Sequence, residues 1–197
     1  MFGGCSGLTN VKIPNSVTEI CEGAFNECSG LTSVAIPNSV IEIGNSAFSG
    51  CSGLSSVAIS NSVTHIGSYA FNGCESLTSV TIPNSIEKID QNAFKNCTAL
   101  SELYSLNAIP PTIDSNTFDT NLYMTLKVYV PKGSLKAYQE ANGWKDFWNM
   151  AEGNPTGINQ ITTDNNSSSN IYDLRGNKIY SPKHGINIIN DKKVVVK

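Results

Sequence analysis

Apolar positions return at a fixed interval along the first half of the chain. Four phenylalanines keep this spacing without slippage, and five cysteines follow the same period. Residues 29–51 read SGLTSVAIPNSVIEIGNSAFSGC, and residues 52–74 repeat them as SGLSSVAISNSVTHIGSYAFNGC. Related blocks occupy residues 6–28 and 75–97. A period in the twenties predicts a solenoid in which each block forms one coil. The phenylalanines are Phe25, Phe48, Phe71 and Phe94.

Within one block, the pattern predicts two short extended segments joined by turns. In LTSVAIP (residues 31–37), Val34 and Ile36 alternate with small residues, which indicates a strand with one face inward. Residues 39–43 form a second extended run, and AFSGC (residues 47–51) predicts a single helical or 3₁₀ turn. The apolar positions of this block are Leu31, Val34, Ile36, Val40, Ile43, Ala47, Phe48 and Cys51.

One coil cannot enclose these side chains alone, so successive coils must stack and seal one another. We expect their strands to pair in parallel at about 4.8 Å. The chain opens with MFGGC, which aligns with AFSGC and lacks the charged start and apolar run of a signal peptide. The first coil is therefore predicted to be truncated, with a parent protein that carries more repeats upstream. Its apolar edge is left open for pairing with a second copy.

The repeated pattern LTSVAIPNSV…IG…AF…C resembles the BspA-like leucine-rich repeat of bacterial surface proteins, and the resemblance covers residues 1 to about 150. It implies a leucine-rich-repeat solenoid, mainly β, with right-handed 23-residue coils, short parallel strands and short helical turns. It also implies an exported protein, extracellular or on the outer cell surface, that binds other proteins, including host matrix components. Residues 1–108 would hold the four complete repeats.

Residues 109–150 are predicted to form a degenerate last repeat and a C-terminal cap. Two prolines break the frame of the fifth unit; LKVYV then predicts a strand, and Ser134 is placed to begin a helix that continues to Ala141. The aromatic residues of this region are expected to cover the last coil. A sharper alternative is a sugar site formed by Trp144 and Trp148, which would make the chain a carbohydrate-binding module.

The remaining chain divides into a linker and a small β module. Residues 151–170 have almost no large apolar side chains and read as a flexible linker. Residues 171–197 predict β-hairpins with turns at RGNK and INDKK. This stretch resembles the C-terminal sorting domains of bacterial type IX secretion, which implies export and surface attachment. A small β domain without a sorting role is the alternative.

Six cysteines invite a disulfide framework, but their spacing favours free thiols. Five lie at one repeat position, where they should stack as a buried ladder whose parallel side chains cannot form bonds between neighbouring coils. Cys21 instead replaces the turn glycines Gly44 and Gly67, where exposure is expected. The ladder cysteines are Cys5, Cys28, Cys51, Cys74 and Cys97.

Composition and motifs point away from catalysis. The net charge of −3 combines an acidic repeat region with a basic tail, and an acidic solenoid would be repelled by nucleic acid. No run of about 18 apolar residues predicts a membrane span. His65 occupies a repeat position that accepts many residue types and is expected at the surface, without a nucleophile motif. No metal-ligand spacing or phosphate-binding glycine loop is present, so no metal, cofactor or enzymatic activity is predicted.

The outward positions of the repeat strands are the remaining candidates for function. Solenoid faces of this kind are common binding platforms, although small side chains predict weak binding per copy. We therefore expect a protein-binding or adhesion protein, with a structural spacer of a larger surface protein as the alternative. The candidate residues are Asn10, Lys12, Ser33, Ser56, Ser79, Thr81, Glu102 and Tyr104.

Overall fold

From the second repeat onward, each repeat contributes one longer and one shorter strand to the computed structural model. The structure describes residues 2–153 and four strands of the C-terminal segment. In chain order the strands of the repeat region are β1 (Glu19–Ile20), β2 (Ser33–Ala35), β3 (Glu42–Ile43), β4 (Ser56–Ala58), β5 (His65–Ile66), β6 (Ser79–Ile82), β7 (Lys88–Ile89), β8 (Glu102–Ser105), β9 (Thr112–Ile113), β10 (Lys127–Val130) and β11 (Asn149–Glu152). Helix α1 spans Leu122–Thr125, α2 spans Leu135–Glu140, and a 3₁₀ turn spans Trp144–Asp146.

Two sets of parallel strands run along the solenoid. The shorter strands form one five-stranded sheet in the order β1-β3-β5-β7-β9. The longer strands form a pair, β2 with β4, and a four-stranded sheet in the order β6-β8-β10-β11. Equivalent residues lie side by side, as Val34 beside Val57 and Val80 beside Leu103. The predicted parallel solenoid is thus confirmed: repeated sequence places the same residue in the same layer of every coil.

The core is a stack of identical layers. Phenylalanine rings one coil apart lie face to face, with centroids 5.2–5.5 Å apart and interplanar angles of 10° or less. The four central rings are fully or almost fully buried. Such parallel stacking follows from the strand spacing, because each ring is held one coil beyond the last. The ladder consists of Phe2, Phe25, Phe48, Phe71, Phe94 and Phe118.

The turn predicted in AFSGC does not become a helix. Ala47 and Ser49 donate backbone hydrogen bonds three residues back, as in a 3₁₀ turn. The amides of Phe48 and Gly50 donate instead to carbonyls of the next coil. Successive amides therefore alternate between a hydrogen bond within the turn and one to the neighbouring coil, which prevents the continuous hydrogen bonding of a helix.

The fifth unit keeps the frame that its prolines were expected to break. Ile113 pairs with Ile89 and Phe118 bridges Phe94, so this unit is one residue longer than the repeats before it. The extra residue is absorbed between β8 and β9, where Ile109 is 82% exposed. The unit therefore forms a full coil beyond the predicted boundary at residue 108.

The residues predicted to form a cap pack against the last coil of the solenoid. Helix α2 begins after Ser134 and ends before Ala141, close to the expected limits. The hydroxyl of buried Tyr138 donates to the Asn107 carbonyl at 3.0 Å and shares a 2.6 Å hydrogen bond with Ser105. Strand β11 extends to Glu152, so the predicted linker starts about two residues too early. Residues 154–170 lie outside the described residues.

The C-terminal segment forms a separate unit, for which the structure describes strands β12 (Ile171–Tyr172), β13 (Lys178–Ile179), β14 (Gly185–Ile189) and β15 (Lys192–Val196). They form an antiparallel sheet in the order β13-β12-β14-β15. Both predicted turns fall between paired strands, although the turn residues themselves lie outside the described residues.

Candidate functional site

The outward side chains of the longer strands form two parallel rows, and we call this surface the long-strand face. All eight predicted residues lie in these rows. They are exposed or half-buried, whereas the alternate residues of the same strands point into the core. The first row is Asn10, Ser33, Ser56, Ser79, Glu102, Lys127 and Asn149; the second is Lys12, Ala35, Ala58, Thr81, Tyr104, Tyr129 and Ala151. The repeat period places Lys12 and the step from β4 to β6, and strand pairing places the other neighbours.

Sequence analysis missed the C-terminal end of both rows. Lys127 pairs with Glu102, and Asn149 pairs with Lys127. Because both of these separations along the chain differ from the repeat period, period counting could not place the two residues. Alternating polar and apolar residues in LKVYV were the available signal, since they make Lys127 and Tyr129 outward residues once the strand joins the sheet.

Two tyrosines stand out in the second row. The rings of Tyr104 and Tyr129 stack with centroids 5.1 Å apart and planes 11° from parallel. The Tyr104 hydroxyl donates a 2.6 Å hydrogen bond to Oε2 of Glu102. This carboxylate, together with partial burial, raises the pKa of Tyr104 to about 12. The ring pair is therefore held in place before any partner arrives.

The alternative sugar site of Trp144 and Trp148 is wrong. Trp144 is fully buried, and its Nε1–H donates a 2.7 Å hydrogen bond to the Pro111 carbonyl. It packs edge-on against Tyr138, with centroids 4.9 Å apart. Trp148 is 76% exposed. A ring enclosed in the cap has no face for a sugar, so Trp144 is structural.

Four cysteines form the predicted buried ladder, and each thiol has a partner that sequence analysis did not foresee. Sγ of Cys51 donates to the Phe25 carbonyl at 3.1 Å, and the other three contact the phenylalanine carbonyl 26 residues earlier in the same way, at 3.0–3.3 Å. Cys5 is exposed, which corrects its predicted burial: it lies in the first coil. Cys21 is exposed as expected.

Alkaline pH is expected to destabilise the repeat region through these thiols. Burial raises the pKa of Cys51 and Cys97 to about 12 and that of Cys74 further, whereas an unfolded thiol has a value of 9.0. The folded state keeps protons that the unfolded state releases, so this contribution to stability is complete below pH 9 and is lost above it. Between pH 8 and 10 we expect a loss of about 1 kcal/mol per thiol.

Urea unfolding under reducing conditions at the two pH values would measure this loss. The matched control replaces Cys51, Cys74 and Cys97 by alanine, which lowers stability at both pH values but should flatten the pH dependence. An equally steep loss in the triple variant would contradict the assignment to the thiols.

His65 links three neighbouring coils, which its variable repeat position did not suggest. The half-buried ring places Nδ1 3.2 Å from Oε1 of Glu42 and Nε2 3.0 Å from Oδ2 of Asp90. Lys88 Nζ lies 2.7 Å from Oδ1 of the same aspartate. Partial burial acts to raise the pKa of Asp90, but hydrogen bonds from Lys88 and His65 outweigh it and lower that pKa. These polar contacts connect three neighbouring coils at the surface.

The N-terminal coil of the described residues carries an apolar surface. A cavity of about 620 Å³ lies there, and Phe2 at its margin is 52% exposed. Most of its lining is apolar: Val11, Ile13, Pro14, Val17, Ile20, Ala24 and Phe25 contribute. This surface is thus of the same apolar kind that joins consecutive coils.

Two features that would indicate other functions are absent from the described part of the chain. It contains no group of three or more acidic, histidine or cysteine side chains placed to hold a metal ion. No helix there combines the length and the apolar character needed to cross a bilayer.

The family model for BspA-type leucine-rich repeat regions matches residues 1–125 with six copies. No curated protein matches the chain.

Three solved structures show the same fold. A leucine-rich cell surface protein from Faecalibacterium prausnitzii is 42% identical, with a TM-score of 0.53, over 57% of this chain and 30% of that one. A leucine-rich repeat protein from Bacteroides ovatus is 29% identical, with a TM-score of 0.53, over 67% and 42%. The leucine-rich repeat protein of T. pallidum is 24% identical, with a TM-score of 0.55, over 73% and 66%. The chain thus spans less than half the length of the first two.

Proposed function

Because the chain belongs to the BspA-type leucine-rich repeat family, we propose that it is a non-enzymatic, exported protein that binds other proteins through its long-strand face. The observation that carries this proposal is the pair of rows of exposed and half-buried side chains along the longer parallel strands, which are in register within each of the two sheets. A rigid surface of this kind presents backbone and side chains at fixed spacing to a partner. The similarity to a cell surface protein supports an extracellular or surface location.

The small side chains of the two rows favour weak binding of a partner protein by one copy. Ser33, Ser56 and Ser79 offer hydroxyl groups but little contact area, whereas tight interfaces centre on tyrosine, tryptophan and arginine. We expect micromolar dissociation constants for one copy, strengthened where several copies act together on a surface. Host matrix proteins are the partners that we propose to test first.

Biolayer interferometry of the full chain against immobilised host matrix proteins tests this proposal. We expect saturable binding that Ser56→Arg weakens at least about tenfold, or roughly 1.4 kcal/mol. Ser56 is exposed in the middle of the first row, so arginine would obstruct the face without entering the core.

The matched control is Ile41→Arg, which places the same charge at a 56% exposed position away from the long-strand face. It should leave binding unchanged. Absence of saturable binding up to about 100 μM, near −5.5 kcal/mol, would instead favour the spacer alternative.

We also propose a second copy of this chain as a partner at the apolar N-terminal coil. The cap covers the opposite end of the solenoid, so two copies of this chain would meet through like ends and form a closed symmetric dimer. Sedimentation equilibrium should show concentration-dependent dimers, and Val11→Asp, which charges the cavity wall, should remove them. A chain that stays monomeric up to about 100 μM would contradict this proposal.

A role for residues 171–197 in sorting, as their resemblance implies, stays a prediction. Export of a reporter protein fused to these residues would test it, and a reporter retained inside the cell would favour the plain β module.

A further inference from the structure

The stacked rings of Tyr104 and Tyr129 on the long-strand face have no third ring beside them on β11, where Ala151 is the in-register neighbour. Tyr129 has a tyrosine beside it on one side, since Tyr104 pairs with it in register on β8. On its other side the in-register neighbour on β11 is Ala151, which is exposed and carries only a methyl group. The second face of the Tyr129 ring therefore has only the methyl group of Ala151 next to it on β11.

The spacing of this fold suits another ring at that place. Tyr104 and Tyr129 stack at 5.1 Å, which is close to the distance between neighbouring strands. The phenylalanine ladder in the core repeats the same arrangement through six rings. A planar group held one strand spacing beyond Tyr129, above Ala151, would stack on Tyr129 as Tyr104 does.

The other end of the pair is less open. Tyr104 has Thr81 as its in-register neighbour, which is a branched and larger side chain than alanine. Its hydroxyl is also held by Glu102. Among the described residues, the accessible face of the pair is therefore the Tyr129 face above Ala151, and Tyr104 acts as a rigid support behind Tyr129.

A cation lies next to this position. Lys127 precedes Tyr129 by two residues on β10, so both side chains lie on the same face about 7 Å apart. Lys127 is exposed and forms no ion pair with any described residue. The repeat region as a whole is acidic, and Glu102 lies beside Lys127 in register on β8, but Oε2 of this carboxylate already accepts a hydrogen bond from the Tyr104 hydroxyl. Charges beyond about 10 Å are screened at physiological salt, so Lys127 supplies the positive charge at this position.

We propose that Tyr129, Ala151 and Lys127 form a subsite for an extended acidic-aromatic segment of a partner protein. An aromatic side chain stacks on Tyr129 above Ala151, and a carboxylate two positions away pairs with Lys127. The match is geometric, because alternate residues of an extended peptide are also about 7 Å apart and share a face. This inference rests on the proposed protein-binding function and names the partner's chemistry at one place on the same face.

The test uses the full chain with labelled tyrosine rings, observed by NMR, and the synthetic peptide Ac-Glu-Ser-Trp-NH₂ as probe. We expect ring-current shifts at the Tyr129 ring protons and a millimolar dissociation constant, since a single aromatic pair contributes little by itself. Replacing Trp by Ala in the probe should remove these shifts, and replacing Glu by Lys should weaken binding about twofold to tenfold.

Substitutions in the protein locate the subsite. Ala151→Tyr should extend the stack and occupy the position, which weakens probe binding about tenfold while the fold is kept. Ile41→Tyr is the matched control, because it adds the same ring at a 56% exposed position away from the long-strand face and should leave binding unchanged. Lys127→Gln should weaken the Glu probe but not the Lys probe.

Several results would overturn the inference. These are unmoved Tyr129 resonances, equal binding by the Ala151→Tyr variant, or Tyr129 shifts caused by methyl β-glucoside but not by the peptide. The last would identify a sugar site instead. If the proposed protein-binding function is wrong, matrix proteins will not bind at all. If only the subsite is wrong, matrix proteins will still bind, and Ser56→Arg will weaken that binding whereas Ala151→Tyr will not.

Discussion

Replacement of Trp144 by alanine is expected to unfold the cap and the coils next to it. The side chain is fully buried, and truncating a buried aromatic residue costs about 3–5 kcal/mol. The substitution also removes the Nε1–H donor at 2.7 Å from the Pro111 carbonyl, which would be left without its partner. Since a whole domain is typically stable by only about 5–15 kcal/mol, this loss is large.

The neighbouring tryptophan is a natural control. Trp148 is 76% exposed, so Trp148→Ala should change the free energy of unfolding by less than about 0.5 kcal/mol. Trp144→Phe should give an intermediate loss, because it keeps an aromatic ring but not the hydrogen bond. Urea unfolding followed by circular dichroism would measure all three, and equal losses at Trp144 and Trp148 would contradict this account of the cap.

Amide hydrogen exchange would show which coils of the Trp144→Ala variant unfold first. In a stacked array each coil contacts only its neighbours, so loss of the cap should expose the C-terminal coils first. Amides of β8 and β9 should lose protection in Trp144→Ala before those of β3 and β5. Uniform loss of protection would mean that the repeat region unfolds as one cooperative unit.

Period counting predicted the solenoid and the outward positions of the eight candidate residues because every full repeat meets the same surroundings. Val34 and Val57 occupy one layer since they are one full repeat apart and each coil copies its neighbour. The same reasoning located the cysteine ladder, including the burial of Cys51 and Cys74. The predicted burial failed for Cys5, because this residue belongs to the first coil, where the surroundings differ, and it is exposed.

The parts that sequence analysis missed depend on contacts between residues with no fixed spacing. Trp144 and Trp148 are alike in sequence, and only the packed cap decides which one is buried. The Tyr104–Tyr129 pair requires the strand LKVYV to join the sheet at a separation that differs from the repeat period. His65 meets carboxylates from two neighbouring coils, so its role follows from register and not from its own repeat position.

Replacement of Phe71 by alanine is the second substitution expected to have a large effect. This ring is fully buried and lies between Phe48 and Phe94, with centroids 5.4 and 5.3 Å away. Its removal would leave a cavity and interrupt two stacked pairs, at a cost of about 3–5 kcal/mol. Thermal and urea unfolding should show both lower stability and a broader transition, because the defect weakens coupling between the two halves of the array.

The end of the ladder provides the matched comparison. Phe2 is 52% exposed and stacks on Phe25 alone, at 5.5 Å, so Phe2→Ala should cost less than about 1 kcal/mol. Phe71→Leu, which fills most of the space but cannot stack, should fall between them. If the two alanine variants were equally stable, the ladder would not be the element that couples the coils, and the strand hydrogen bonds and the buried aliphatic layers would have to carry that coupling instead.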